Sequence, residues 1–209
     1  MSLSLSSIRY TLVAASLVAL PTASFASDYE TRAEAQAVLD MPVTLSKAVE
    51  VAQTAMPGKV IDAEIEQYFH KLVCEVKIVG EGHISKALID MTTGKMVSSQ
   101  PTESKINVKQ LYKSNYRLSA LEHAGMTMTD AIAAAEKISG GKAYEASFNY
   151  RDGAYAYEVK TVKDRSKMSL TLHADSGEIL ASKFKVWPEF LSELSTKGGY
   201  KHAVPTDKK

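Results

Sequence analysis

The sequence predicts an α+β fold made of two tandem modules, each an N-terminal helix packed on a small antiparallel β-sheet. The first observation behind this is an internal repeat: at an offset of 83 residues, 44–94 align with 127–177 without a gap. About eleven positions are identical, among them Ala48/Ala131, Gly58/Gly141, Ala63/Ala146 and Gly94/Gly177, as a duplicated unit would leave. The second is a change of apolar period inside each copy, from helical spacing to alternation. The third is a glycine turn that closes each copy at the same place.

The chain opens with Arg9, an apolar run over 11–20, and Ser24-Phe25-Ala26 with small residues at the −3 and −1 positions. This predicts a signal peptide over 1–26, cut before Ser27, and a mature protein in the periplasm or outside the cell. An apolar run of ten residues falls short of the roughly twenty that span a bilayer, so no stable membrane insertion is expected after cleavage. Residues 27–42 form an N-terminal segment ahead of the first copy.

The copies are assigned to 43–100 and 126–187. Thr44 or Ser46, and Thr127 or Thr129, can accept from the orphan amides of a helix start. Ala48, Val49 and Ala52, matched by Ala131, Ile132 and Ala135, form the apolar stripe; Pro57-Gly58 and Gly140-Gly141 end it. Alternation then places Ile61, Ala63 and Ile65 inward, followed by Leu72, Cys74, Val76 and Ile78. In the second copy Tyr144, Ala146, Phe148 and Tyr150 share a face, as do Tyr155, Tyr157 and Val159 after the Asp152-Gly153 hairpin. A third strand ends in a turn at 90–94 or 173–177, from which a short fourth strand leads away.

Between the copies, 101–125 is a linker in which Leu111, Tyr112, Leu118 and Leu121 recur at helical spacing, predicting a helix that packs on a module. After Trp187, expected in a core, Phe190, Leu191 and Leu194 predict a short amphipathic helix within 188–209. From Gly198 the tail is polar and predicted disordered.

Charge and motif content exclude several function classes. Removing 1–26 takes away Arg9 and no acid, leaving 24 basic and 24 acidic side chains, without the basic surplus a nucleic-acid binder needs. The five histidines include no i, i+4 pair, and no H-E-x-x-H, C-x-x-C or G-x-S-x-G motif occurs. One or two carboxylates per glycine turn cannot complete a calcium shell. No catalytic residue, metal ligand or cofactor is therefore expected, although a hydrolase assembled from distant residues stays open as an alternative. Cys74, between Leu72 and Val76 on an inward strand position, reads as a small buried hydrophobe rather than a reactive thiol.

The order of helix, hairpin and Gly turn, carried by T44LSKAVEVAQ with D90MTTGKMV and by T127MTDAIAAAEK with D175SGEIL, resembles the PepSY family. Copy two departs from the pattern in having His173 where copy one has Asp90. The resemblance implies binding or inhibition rather than catalysis, the partner being an exported protein or peptide, with a peptidase as its specific form. Alternation puts Glu75, Lys77, Glu158 and Lys160 on the face opposite the core, which makes them the candidate partner-contact residues. A small-ligand or envelope sensor, binding in a cleft between the modules, is the second reading.

Overall fold

The computed structural model describes residues 32–187, apart from 69–70, 81–82, 102–107 and 165. The signal peptide and the C-terminal helix and tail lie outside the described residues. Repeat one contains α2 (Leu45–Ala55) and β1 (Lys59–Tyr68), β2 (Lys71–Gly80), β3 (His83–Asp90) and β4 (Met96–Pro101). Repeat two contains α4 (Met128–Ser139) and β5 (Lys142–Arg151), β6 (Ala154–Lys163), β7 (Ser166–His173) and β8 (Ile179–Val186). Ahead of them stand α1 (Arg32–Asp40) and α3 (Val108–His123).

The helices start as their sequences dictate. Thr44 Oγ1 accepts from the Lys47 amide at 3.2 Å. Thr127 goes further: its Oγ1 accepts from the Asp130 amide at 3.1 Å while Asp130 Oδ2 accepts from the Thr127 amide at 2.9 Å, a reciprocal capping box. Leu45, Ala48, Val49 and Ala52 are buried on α2, and the equivalent Met128, Ala131, Ile132 and Ala135 on α4. At Gly58 and Gly141, just before β1 and β5, an added Cβ would strike the carbonyls of Val79 and Val162, so only glycine lets the chain pass. Asp152 and Gly153 both have positive φ, 50° and 90°, as a two-residue hairpin requires.

The two repeats do not form two separate sheets. They share one antiparallel sheet of eight strands in the order β4-β3-β2-β1-β5-β6-β7-β8. The expected pair of small sheets is thereby corrected: β1 and β5, each the first strand of its repeat, pair along their edges. Their ladder matches Asp62 with Ser147, Ala63 with Ala146 and Glu64 with Glu145. Because Ala63 and Ala146 are equivalent in the repeat, this pairing maps onto itself when the copies are exchanged, as a two-fold interface does. Each first strand also carries the same bulge, between Val60 and Asp62 and between Ala143 and Glu145.

The structure extends the duplication beyond the sequence match. α1 ends at Asp40 and α3 at His123, equivalent positions, and Val38 is buried like Leu121. Each of these helices leads into its own repeat yet packs on the other: α1 against β5 and β6, α3 against β1, β2 and β3. Lys142 of repeat two donates to the carbonyls of Leu39 and Met41 at the end of α1. α1 was not anticipated, because its single short apolar stripe has no cap or turn signal strong enough to mark it. The linker helix α3 was, and Leu118 and Leu121 pack on the core as expected.

One core runs through both halves, from Val38 and Leu45 to Trp187. Cys74 lies in it fully buried, and burial pushes its thiol pKa upward, so it is an inert hydrophobe. The alternation is borne out for Ile61, Ala63 and Ile65 and for Tyr144, Ala146 and Phe148, which are all buried. Tyr150 is a correction: it is 63% exposed, because β5 runs on past the helix layer into the hairpin. There its ring meets Tyr155 edge-on at 5.2 Å, while Tyr155 stacks flat on Phe148 at 5.2 Å.

Candidate functional site

The helices α2 and α4 cover one face of the sheet, and the charged residues of alternation line the other. Glu75 and Lys77 on β2, and Glu158 and Lys160 on β6, all lie there, each held in a local group of ion pairs. Lys77 Nζ is 3.0 Å from Asp62 and 3.4 Å from Glu75, and Lys86 lies 2.9 Å from Glu75. In repeat two, Lys160 is 2.8 Å from Glu145, and Arg151 2.6 Å from Glu158, which also accepts from Ser169 at 3.3 Å. Lys77–Asp62 and Lys160–Glu145 are therefore one ion pair, inherited twice. Burial lowers the affinity of Lys77 for its proton, but Asp62 and Glu75 outweigh this and hold its pKa above the ordinary value.

Where the halves meet, this face is acidic. Glu64 and Glu145 stand directly opposite across the β1–β5 ladder. Desolvation, with Glu145 next and then Glu66 and Asp62, raises the Glu64 pKa from 4.5 to about 7. Glu66 is also raised, by burial and then by Glu75. Glu145 is raised by burial despite Lys160.

A different site lies at the far end of repeat two. A cleft of about 490 Å³ opens between α3 and the β5–β6 hairpin, lined by Tyr116, Ser119, Ala120, His123, Tyr150, Gly153, Ala154, Tyr155, His173 and Asp175. His173 performs the turn function of Asp90 by another chemistry. Asp90 Oδ1 accepts from the amides of Thr92 and Thr93, both at 2.8 Å. His173 Nδ1 accepts from Asp175 and Ser176 at 3.2 and 3.4 Å, which leaves the ring proton on Nε2. His123 bonds the Ser119 carbonyl through Nδ1 at 2.8 Å. Sequence reasoning passed over this cleft because its two histidines are distant in the chain. The available signal was that each replaces an aspartate of copy one, Asp40 and Asp90. Among the described residues no group of three or more His, Cys, Asp or Glu could hold a metal ion.

The PepSY family, described as the peptidase propeptide and YPEB domain, matches residues 42–99 and again 125–183. The chain belongs to the PepSY family. The uncharacterized protein YkoJ of Bacillus subtilis (strain 168) is 27% identical over 158 residues, spanning 75% of this chain and 83% of that protein. Among solved structures, a "putative lipoprotein" of Clostridium difficile 630 is similar at 19% identity and a TM-score of 0.43, covering 70% of this PepSY chain and 95% of its own. No helix among the described residues of this PepSY protein is long and apolar enough to cross a membrane.

Proposed function

We propose that this PepSY protein is exported and non-catalytic, and that it binds an extended segment of an exported protein or peptide, a peptidase being the specific form. The observation that carries this reading is the state of the two outer strands. Among the described residues, β4 and β8 each have a strand neighbour on one side alone, and they expose Met96, Val97, Ile179, Leu180 and Phe184. An outer strand with free main-chain groups and exposed apolar side chains can accept a further strand. The charged face would contribute through Glu75, Lys77, Glu158 and Lys160, whose paired state makes them ordered contacts rather than loose ones. The test is capture of partners from a periplasmic extract, followed by titration of each with wild type and with Lys77→Glu and Lys160→Glu. Inhibition of a captured peptidase, weakened by the reversals, supports the reading; turnover of a substrate, abolished by one substitution, overturns it.

The second reading, a small-ligand sensor, would use not a cleft between the modules but the 490 Å³ cleft between α3 and the β5–β6 hairpin, with its tyrosines and imidazoles. Saturable binding of a small molecule that Tyr116→Ala and His173→Ala remove, with no protein partner recovered, would select it.

A further inference from the structure

Repeat two carries a lysine arrangement on β6, β7 and β8 that repeat one lacks. The ladder sets Lys167 directly opposite Lys185, and in the neighbouring row Lys160, Ser169 and Lys183 stand side by side. Like charges directly opposite in a ladder destabilise a sheet. The equivalent positions in repeat one hold Ile84 for Lys167, Gln100 for Lys183 and Thr102 for Lys185, so the fold itself does not need them. The lysines surround a groove of about 230 Å³ that Tyr144 and Ser169 also line. Glu158, the groove's carboxylate, is already engaged by Arg151 and Ser169. Lys160 is engaged by Glu145, and Lys167 reaches over the Trp187 ring at 5.6 Å. Lys183 and Lys185 have Ser169 and Lys167 as ladder partners, neither of which is an anion.

The other face of β8 carries two large apolar side chains with Ser182 between them. Ile179 is paired with Leu172 and Phe184 with Met168, and Ile179 and Phe184 are 48% and 63% exposed. β8 thus offers three things together: a strand edge unpaired among the described residues, cations on one face and apolar side chains on the other. We infer that β8 is the docking edge, and that its ligand is an extended peptide alternating acidic and apolar side chains, added as a ninth strand. This rests on the binding reading above and names its ligand. Each second side chain of an added strand falls on the same face, so carboxylates reach the lysine groove while apolar residues meet Phe184 and Ile179. A second copy of β8 would bring lysine against lysine, which disfavours self-pairing of this edge.

The probe is a labelled decapeptide of alternating glutamate and valine, titrated into the full mature chain by fluorescence anisotropy. Saturable binding that weakens with salt is expected. Lys183→Ser with Lys185→Ser, both at exposed positions, should weaken it at least tenfold without lowering the unfolding midpoint. Methylating alternate peptide amides should remove binding independently of any protein variant, and a lysine-valine peptide should not bind. Lys95→Glu, on an exposed turn of repeat one, should change affinity less than twofold. Binding that survives both amide methylation and the double serine variant overturns the proposal, as does no binding at all. If a captured exported partner binds the double serine variant as well as wild type, this inference falls while the general binding reading stands.

Discussion

Repeats one and two share a backbone but solve the same structural problems with different chemistry. At the inner strand position where repeat one has Ile65, repeat two has Phe148, which stacks on Tyr155 and lies 5.1 Å from Tyr157. Where repeat one places Cys74, repeat two has Tyr157, whose hydroxyl donates to the Met126 carbonyl at 2.9 Å. Burial pushes that phenol up to about 12. Repeat one puts both Asp62 and Glu64 on the seam, whereas repeat two offers Glu145 and Ser147. Repeat one is thus the aliphatic and more acidic copy; repeat two is aromatic and bears the extra lysines and the cleft. The two copies keep the small residues Ala63 and Ala146 that meet at the shared seam, while both their core fillings and their surface charges differ.

The largest expected effect tests whether the aromatic cluster is the stronger half of the core. Phe148→Ala should cost about 3–5 kcal/mol by loss of burial and a cavity. Ile65→Ala, its equivalent, should cost less, because repeat one loses no ring stacking. Denaturant unfolding of both variants gives the order, and a larger loss at Ile65 would reverse the comparison.

The seam supplies a pH test. Folding raises the Glu64 pKa from 4.5 to about 7, so its stabilising contribution is complete below pH 4.5 and is lost as pH rises to 7. A shift of this size corresponds to about 3 kcal/mol in full, and screening at a half-exposed position brings the expectation to about 1 kcal/mol. Glu64→Gln should therefore stabilise the protein at pH 8 and leave it unchanged near pH 4.5. Ser147→Glu, which makes repeat two resemble repeat one here, should destabilise at pH 8. Equal unfolding midpoints for Glu64→Gln and wild type at pH 8 would show that the two carboxylates do not strain the seam.

The helix starts predict a smaller difference. Thr127→Ala breaks a reciprocal box and should cost about 1–2 kcal/mol, whereas Thr44→Ala removes a single bond and should cost about 0.5–1 kcal/mol. Chemical denaturation read by circular dichroism separates the two. The smallest effect belongs to the turns: His173→Asp should restore the shorter bonds seen at Asp90 and stabilise by about 0.5 kcal/mol. A loss of stability there would mean that the imidazole makes contacts in the cleft that outweigh the turn.

Much of this was legible because it is local. A threonine before an apolar stripe, Asp152-Gly153 between alternating runs and glycines before β1 and β5 act through short-range sterics and hydrogen bonds, so the sequence reveals them. The placement of Glu75, Lys77, Glu158 and Lys160 away from the helices followed from alternation alone. Their partners did not, since Asp62 and Glu145 lie on neighbouring strands and only register brings them within 3 Å of a lysine. The exposure of Tyr150 was illegible for a related reason: alternation gives the face of a side chain but not where the covering helix ends.

By itself, then, the amino-acid sequence determined the duplication, the helix and strand content of each copy and, away from the bulges, the direction that residues of β1, β2, β5 and β6 face. Tertiary structure alone decided that β1 pairs with β5, that α1 and α3 each pack on the opposite repeat, and that His123 and His173 share a cleft. Strand pairing runs through main-chain groups common to every residue, so the seam leaves in the sequence little more than two small residues, Ala63 and Ala146. The exchange of the leading helices depends in turn on that seam, because only a shared sheet brings each helix within reach of the other copy's strands.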